Sequence, residues 1–552
     1  MPLAKRWETR AERLSQPLWA GILAAIFAWC LFVFGPPGGD AATHLYQIQL
    51  FRQNGFQFWD NLWYSGRYSL VNYSLIYYPL AVVVGQAVVI VVSVGMAAAA
   101  FARLVRTQWP ALATAPAISA ALVIPLEVIS GAYPFLLGLA LGLVTLVALQ
   151  ARRLWLATGL AVLTIAAHAL AFGFMGMVIL AWALADRSWV RERGYRGFAA
   201  ALVVMGLVQL LLIRAFSLPG AHYIYDPKDF AAILAFCVAG ALLSYRLPAL
   251  GALWVFFWIY GIFSTVDFLI ANSVGGNAVR LLVVMGLPIL LIPLGARGFR
   301  PRAALVACVI AVGVWQGISP VSEWQASTAA EGAQASFWTP ALAFLNAHGD
   351  PDYRVEVVQS KRYWEAYYIA GHGFAMARGW YRQDDFPTNA VLYGTLTPQN
   401  YRAWLRATGV HYVLISTDQL DPTSQQEAAL LRSGRSGLVD VAHTGAWTIY
   451  ALANPTPIIT PAASARITQM ATTSMTIQVT TPGTLTVRVH ETPYWTAEEG
   501  GARVCVSLGT GPTTQLNVIR PGTVHLRFQV QLHSLLDALL GRSSSCPAAQ
   551  NP

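Results

Sequence analysis

Asp40 follows the run Gly35-Pro36-Pro37-Gly38-Gly39, six residues past the end of a strongly apolar stretch, Pro17–Phe34. Glycine and proline hold an irregular backbone and let it pass close to other groups. A carboxylate placed there is a functional acid, the N-cap of a helix starting at Ala41, or both. His44 lies one turn further on and shares a face with Asp40 on such a helix, where it can orient a substrate or share a proton. Asp60 sits in WDNLWYSGRY. Aromatic faces cover the apolar faces of sugars while an acid binds hydroxyls, so Trp59, Trp63 and Tyr64 read as sugar-binding. They read equally well as anchors at a membrane surface. All of these residues fall within Gly38–Pro79. A connector of roughly forty residues is too long for a plain turn, and this one is too aromatic for disorder. It is predicted to be an ordered, membrane-hugging loop that houses the chemistry.

Further ionisable residues stand at the ends of apolar stretches: Glu127, His168, Arg214, Asp226, Lys228, Asp267 and Arg280. Such groups at membrane depth are costly and usually functional. Asp226 and Lys228 read as solvated. Glu127, His168 and Arg280 have apolar neighbours and read as site residues. Arg280, in GGNAVRLL, is the expected phosphate ligand, because a guanidinium grips phosphate oxygens through two parallel bonds. Arg214 is the alternative. Further on, RGWYRQDDFPTNAVLY (Arg378–Tyr393), preceded by KRYWEAYYIA, mixes charges with aromatics. Trp380 and Arg382 are read there as part of a substrate-facing wall over the membrane domain.

The elements that must position these residues are mostly membrane spans. Of 552 residues 56% are apolar and only 11% charged, with a mean hydropathy of +0.50. Soluble domains carry about 25% charge. About eleven stretches approach the length that crosses a bilayer. They are Pro17–Phe34, Leu80–Phe101, Leu112–Ile129, Pro134–Leu149, Trp155–Ala167, Leu170–Ala185, Phe198–Phe216, Phe230–Tyr245, Ala249–Thr265, Val279–Leu294 and Ala303–Ile318. The fourth to sixth are short, and Trp155 to Ala185 also reads as one long buried helix plus a re-entrant piece. The N-terminal stretch reads as an uncleaved first helix, since no small-residue cleavage site follows it. Alternating ends of the spans collect Lys5 to Arg13, Arg103 with Arg106, Arg152 with Arg153, Arg187 to Arg196, Arg246 and Arg297 to Arg302. The opposite ends hold far fewer basic residues. The positive-inside rule therefore puts the N-terminus in the cytoplasm and the C-terminal part outside. It also accounts for most of the +10 net charge without a nucleic-acid partner.

The predicted fold is thus a polytopic α-helical membrane domain over residues 1–319, with a large first extracytoplasmic loop at 35–79. An extracytoplasmic α/β domain at 320–456 follows, then a β-sandwich-like domain at 457–552. Phe337–Ala347 and Pro398–Thr408 read as helices, YRVEVVQ and HYVLIS as strands, and SMTIQVTT, GTLTVRVH, ARVCVSLG and TVHLRFQVQL as a β-rich end. Cys30, Cys237 and Cys308 read as small core residues. Cys505 and Cys546 can form one disulfide if the C-terminal part is outside the cell.

A Gly-Asp acid just beyond the first helix, in an extracytoplasmic first loop, resembles the GT-C superfamily of polyprenyl-phosphate-sugar-dependent membrane glycosyltransferases. SGAYPFLLGLALG, GGNAVRLLVVMGLP, RVEVVQSKRYWEAYYIA, ARGWYRQDDFPTN and YRAWLRATGVHYVLIS look like a largely uncharacterised actinobacterial group of that type. The resemblance implies a bacterial plasma-membrane enzyme with Asp40 as general base on an acceptor hydroxyl. Arg280 or Arg214 would hold the donor phosphate, and the polyprenyl tail would lie between helices among membrane lipids. The acceptor would be a cell-envelope glycan or glycolipid. The first loop lacks the tight acid pair of some members, since Asp60 is twenty residues from Asp40. No cofactor is therefore assigned, and a divalent cation is left open. A lipid-sugar transporter and a non-catalytic glycan- or lipid-binding scaffold on the same fold are the competing expectations. A transporter predicts internal repeats, and none is visible.

Overall fold

The computed structural model describes residues 10–69, 73–300, 302–511 and 513–543. The chain divides into two compact units: Met1–Ala41 with Tyr73–Gln209 and Tyr223–Thr328, and Ala42–Asn72 with Leu210–His222 and Ala329–Pro552.

The first unit is helical. Among the described residues eight helices are long and apolar enough to cross a membrane: Ser15–Phe34, Gln86–Gln108, Tyr133–Gln150, Arg193–Ala215, Pro227–Ser244, Pro248–Leu269, Gly275–Ala296 and Leu305–Thr328. They make the chain an integral multi-pass membrane protein. Three of the expected spans are shorter apolar helices, Thr114–Ser130, Leu154–Ala167 and Ala169–Ala185. The first of these is interrupted by a 3-10 turn, Ile124–Leu126, where Pro125 has no N–H to donate to the helical ladder. The other two are separate helices broken at His168, which adopts an extended backbone (φ −165°, ψ 117°), so the single long helix is not formed. The fourth expected span is full length at 18 residues. The second starts with a separate helix, Tyr77–Val84, broken at Gly85.

Small residues let the helices approach closely. Carbons added at Gly21 and Gly95 would sit 2.9 and 3.0 Å from each other's carbonyl oxygens, so Ser15–Phe34 and Gln86–Gln108 meet backbone to backbone. Helix Arg280–Ala296 contains Pro288 and Pro293. Gln316 compensates where Pro288 loosens the ladder. Its Nε2 donates to the carbonyls of Leu282 (3.0 Å) and Val283 (2.7 Å), and its Oε1 accepts from the Leu287 N–H (3.2 Å).

The second unit is mixed α/β. Its strands are β1 (Trp59–Asp60), β2 (Arg67–Tyr68), β3 (Arg354–Val357), β4 (Val410–Ser416), β5 (Val439–Thr444), β6 (Trp447–Ala451), β7 (Ile459–Thr460), β8 (Ala465–Ala471), β9 (Ser474–Val479), β10 (Gly483–His490), β11 (Trp495–Glu499), β12 (Ala502–Leu508), β13 (Thr513–Val518) and β14 (Gly522–Phe528). β1 and β2 form a small hairpin, with Trp59 opposite Tyr68 and Asp60 opposite Arg67. A four-stranded sheet runs β3-β4-β6-β5, with β3 and β4 parallel and the other pairs antiparallel. Helix Pro398–Thr408 covers it with Tyr401, Trp404 and Leu405 buried, and a Thr397/Asn400 capping box starts that helix.

The expected sandwich is instead one continuous eight-stranded sheet, β7-β10-β13-β12-β11-β14-β9-β8, of near-barrel form. β9, β10 and β13 bury alternate residues. The inward face, with Ile477, Val487, Leu516 and Leu526, packs with Tyr494, Trp495 and Trp59 into one core. The first-loop segment Ala42–Asn72 belongs to this unit, with helix Ala41–Asn54 leading into it. Cys30 is exposed and Cys308 half-buried, while Cys237 alone of the three is a core residue. Cys505 is disulfide-bonded; Cys546 lies outside the described residues.

Candidate functional site

The Gly-Gly-Asp run is held by backbone. The Gly39 N–H donates to the Ile129 carbonyl and the Asp40 N–H to the Ser130 carbonyl, both at 3.0 Å. Two glycines make this approach feasible. A side-chain carbon at Gly38 would meet the Tyr133 hydroxyl at 2.6 Å. One at Gly131, whose φ is +83°, would meet the Asp40 nitrogen at 2.6 Å. Asp40 thus precedes the first turn of Ala41–Asn54, pinned to the end of helix Glu127–Ser130.

Arg280 opens the helix that follows the 3-10 turn Gly275–Val279. Its guanidinium faces three side chains within the helical unit. Nε donates to Asn277 Oδ1 (2.9 Å) and Nη1 to Glu127 Oε1 (3.3 Å), while Nη2 lies 3.9 Å from Asp40 Oδ2. The Asp40 and Arg280 side chains are 23% and 22% exposed, whereas Glu127 is buried. The Arg280 Cζ is 5.9 Å from the Phe135 ring. His168 meets Phe135 edge-on at 5.5 Å and Tyr73 at 5.7 Å. Arg280 thus has Asp40 and Glu127 as carboxylate neighbours and shares Phe135 with His168. Chemically this is a partly open cation between a buried carboxylate and a partly open one. Such a cation can take an anionic oxygen, and the adjacent partly open carboxylate can accept a proton.

The other residues read as site residues lie in the second unit and are placed differently. His44 is buried in helix Ala41–Asn54. Asp60 accepts from the Tyr46 hydroxyl and the Leu62 N–H, each at 2.9 Å, and burial raises its pKa to about 6. Trp59, Trp63 and Tyr64 are fully buried, so none offers a ring face to a sugar. Trp59 packs on Trp495 and Phe528 and donates to Asn61 (2.8 Å). Trp63 stacks on Tyr46 at 4.5 Å and donates to the Ala366 carbonyl. The expected membrane-hugging, sugar-facing loop is in this part a protein core. Burial of large aromatic rings outweighs their use at an interface.

Arg214 is exposed beside Gly541 at the end of helix Arg193–Ala215. Trp380 is half-buried against Tyr381. Arg382 is engaged by Asp421 (2.9 Å), Thr423 (3.3 Å) and the Tyr363 hydroxyl. The stretch around it is a buried ion-pair network. Arg378 binds Asp385 through two bonds (3.1 and 2.8 Å), and Arg67 binds Asp384 at 2.6 Å under the Tyr381 ring. These charges are explained by their pairing within the unit.

Sequence reasoning gave no individual role to Asn277, Tyr133, Phe135 or Tyr73. Asn277, in the GGNAVR stretch, offered the one local signal: a side-chain acceptor three residues before Arg280 shares its face of the turn. Tyr73 lies in the first loop and Tyr133 and Phe135 in the SGAYPFLLGLALG stretch, and neither their types nor their spacing marks them for this site. Among the described residues no group of three or more His, Cys, Asp or Glu side chains is arranged to hold a metal ion.

No protein-family model matches the chain, and no curated protein matches it. Solved structures of an oligosaccharyltransferase from Archaeoglobus fulgidus are similar at low level. The archaeal enzyme AglB in complex with an inhibitory peptide and a dolichol-phosphate has 12% identity over 72% of this chain and 69% of that one, with a TM-score of 0.37. The apo form has 13% identity over 74% and 70%, with a TM-score of 0.39. A complex with Zn and sulfate has 13% identity over 72% and 68%, with a TM-score of 0.36. A likeness of this depth assigns neither activity nor residue to the chain.

Proposed function

We propose that this protein is a membrane glycosyltransferase that moves a sugar from a polyprenyl-phosphate donor to a cell-envelope glycan or glycolipid. The observation on which the reading rests is the pairing of a partly open guanidinium, Arg280, with a partly open carboxylate, Asp40, at 3.9 Å. That spacing is long for an ion pair, so a donor phosphate can take the guanidinium over while Glu127 and Asn277 keep it aimed. Asp40 then accepts the proton of the acceptor hydroxyl. The acceptor oxygen attacks the anomeric carbon, the bond from that carbon to the phosphate oxygen breaks, and polyprenyl phosphate leaves with the electron pair. Its charge is met by Arg280. His168 packs edge-on against Tyr73 and against Phe135, the ring that lies by Arg280. The donor's leaving group is already a phosphate, so orientation, a base and one cation suffice.

An apolar cavity of about 130 Å³ supports the donor class. Its lining includes Leu281, Met285, Ile289 and Ile292 of the helix that Arg280 opens, together with Leu139 and Phe174. At 1.5 Å per residue, that wall is roughly 16 Å long, a fit for part of an isoprenoid chain. In this reading the N-terminus is cytoplasmic and the Asp40 end of the helices faces outward.

The test is transfer of radiolabel from a panel of polyprenyl-phosphate sugars in membranes holding wild type or Arg280→Gln at matched expression. One donor is expected to be consumed by wild type, with transfer by the variant reduced about 100-fold or more, the scale of losing a charge-assisted bond to a reacting phosphate. Equal transfer by both proteins would remove Arg280 from the donor site.

A further inference from the structure

The helix Leu532–Leu540 has two apolar faces, and among the described residues only one of them is packed against the core. Leu535 and Leu539 pack against the core of the eight-stranded sheet, and Ala538 is buried there. Leu532, Leu536 and Leu540 face outward, 75%, 51% and 60% exposed. Spaced four residues apart, they form one stripe along the helix. Exposed leucines in such a row are not explained by packing within the unit.

What covers the stripe follows from the helix's neighbour. Leu212, Ala215 and Phe216, at the end of the candidate span Arg193–Ala215, pack with the same core as Leu535 and Leu539. Arg214, in the last turn of that span, lies beside Gly541, where a side-chain carbon would be 2.6 Å from its Nη2. Arg542 follows, also exposed, so two cations stand at this end of the helix. Phe58, 38% exposed, stacks on Phe216 at 5.6 Å next to them. An apolar stripe, flanking arginines and an exposed aromatic, all where a membrane span ends, is the composition of a segment lying in the bilayer interface.

We infer that Leu532–Leu540 is an in-plane membrane anchor. Its Leu532, Leu536 and Leu540 face enters the lipid at the level where the span Arg193–Ala215 leaves it, and Arg214 and Arg542 meet lipid phosphates. The anchor fastens the second unit to the bilayer at a point far along the chain from the spans that precede it. This does not depend on the transferase reading.

The test uses the full chain with Cys30, Cys237 and Cys308 replaced by alanine, reconstituted in vesicles of phosphatidylcholine and phosphatidylglycerol. A nitroxide is attached at Leu536→Cys, at Leu532→Cys, or at Glu498→Cys on the exposed face of β11 as an aqueous reference. Power saturation then compares collisions with oxygen, which concentrates in lipid, and with a water-soluble nickel chelate. A several-fold higher oxygen-to-nickel ratio at both leucine positions than at Glu498→Cys is the expected result. A ratio equal to the reference would overturn the anchor. So would low collision with both reagents together with label-to-label broadening that vanishes on dilution with unlabelled protein, because a second copy of the chain would then cover the stripe. Both leucines are exposed, so neither label disturbs the core.

Discussion

At the scale of single residues, charge and aromaticity mark two different things in this chain. Asp40, Glu127 and Arg280 meet in the helical unit with two of the three partly open. The louder cluster, Trp59, Asp60, Trp63 and Tyr64, is buried. A sequence window holds both clusters within a few dozen residues and does not separate them, because burial is decided by partners such as Trp495 and Phe528, hundreds of residues away. The two roles predict different losses. Trp59→Ala removes a fully buried ring and is expected to destabilise the second unit by about 3–5 kcal/mol, read as a lower unfolding midpoint. The acceptor KM of the protein that remains folded is expected to be unchanged. A raised acceptor KM with an unaltered midpoint would restore Trp59 to the substrate site.

At the scale of elements, the legible parts were those with their own periodicity. Pro398–Thr408 shows its buried face, Tyr401, Trp404 and Leu405, within eleven residues, and the alternating runs of β9, β10 and β14 read as strands. β11 (WTAEE) and β13 (TTQLNV) did not, because β11 has only two buried positions, Trp495 and Ala497, and one of the three inward positions of β13 is the polar Thr514. Their neighbours in the sheet supply the pairing. The site depends on an element contact that sequence cannot show: Gly39 and Asp40 bonded to Ile129 and Ser130. Gly131→Ala tests it. Its φ of +83° and a carbon 2.6 Å from the Asp40 nitrogen force that contact apart. The strain is of order 1–3 kcal/mol, so folding is expected to survive while kcat falls at least tenfold with little change in donor KM. Wild-type kcat in this variant would show that the backbone clamp does not position Asp40.

At the scale of the whole molecule, composition alone announced a membrane protein and a polar C-terminal part, since a chain with so few charges cannot be a soluble domain. It did not announce that the first loop and the end of one span would join the C-terminal residues in one unit, because that is decided by long-range core packing. The second unit also hides carboxyls. Burial raises the pKa of Glu365 to about 8 and pushes Glu356 well above its ordinary value. A carboxyl raised in the folded state binds protons there that the unfolded chain has already lost, so stability falls as pH rises from about 4.5 to 8, roughly 1.4 kcal/mol per pKa unit. Below pH 6.5 this is opposed by His490, which burial lowers to about 4 and which must charge on unfolding. The unfolding midpoint of the second unit is therefore expected to drop between pH 6.5 and 8. Glu365→Gln keeps the shape beside Ser360 and is expected to flatten that drop. An unchanged slope would mean that Glu365 is ionised in the fold.

The proposed role of Asp40 as the base is tested most directly by single-turnover sugar transfer by wild type and Asp40→Asn, with donor binding measured in parallel. Asparagine keeps the size and loses the proton acceptor. A positioned general base contributes about 100- to 10,000-fold. The prediction is transfer slowed by at least the lower figure, with donor affinity within about threefold, because Arg280, Glu127 and Asn277 remain in place. Equal transfer rates at equal donor occupancy would contradict the account and leave Asp40 as the cap of its helix.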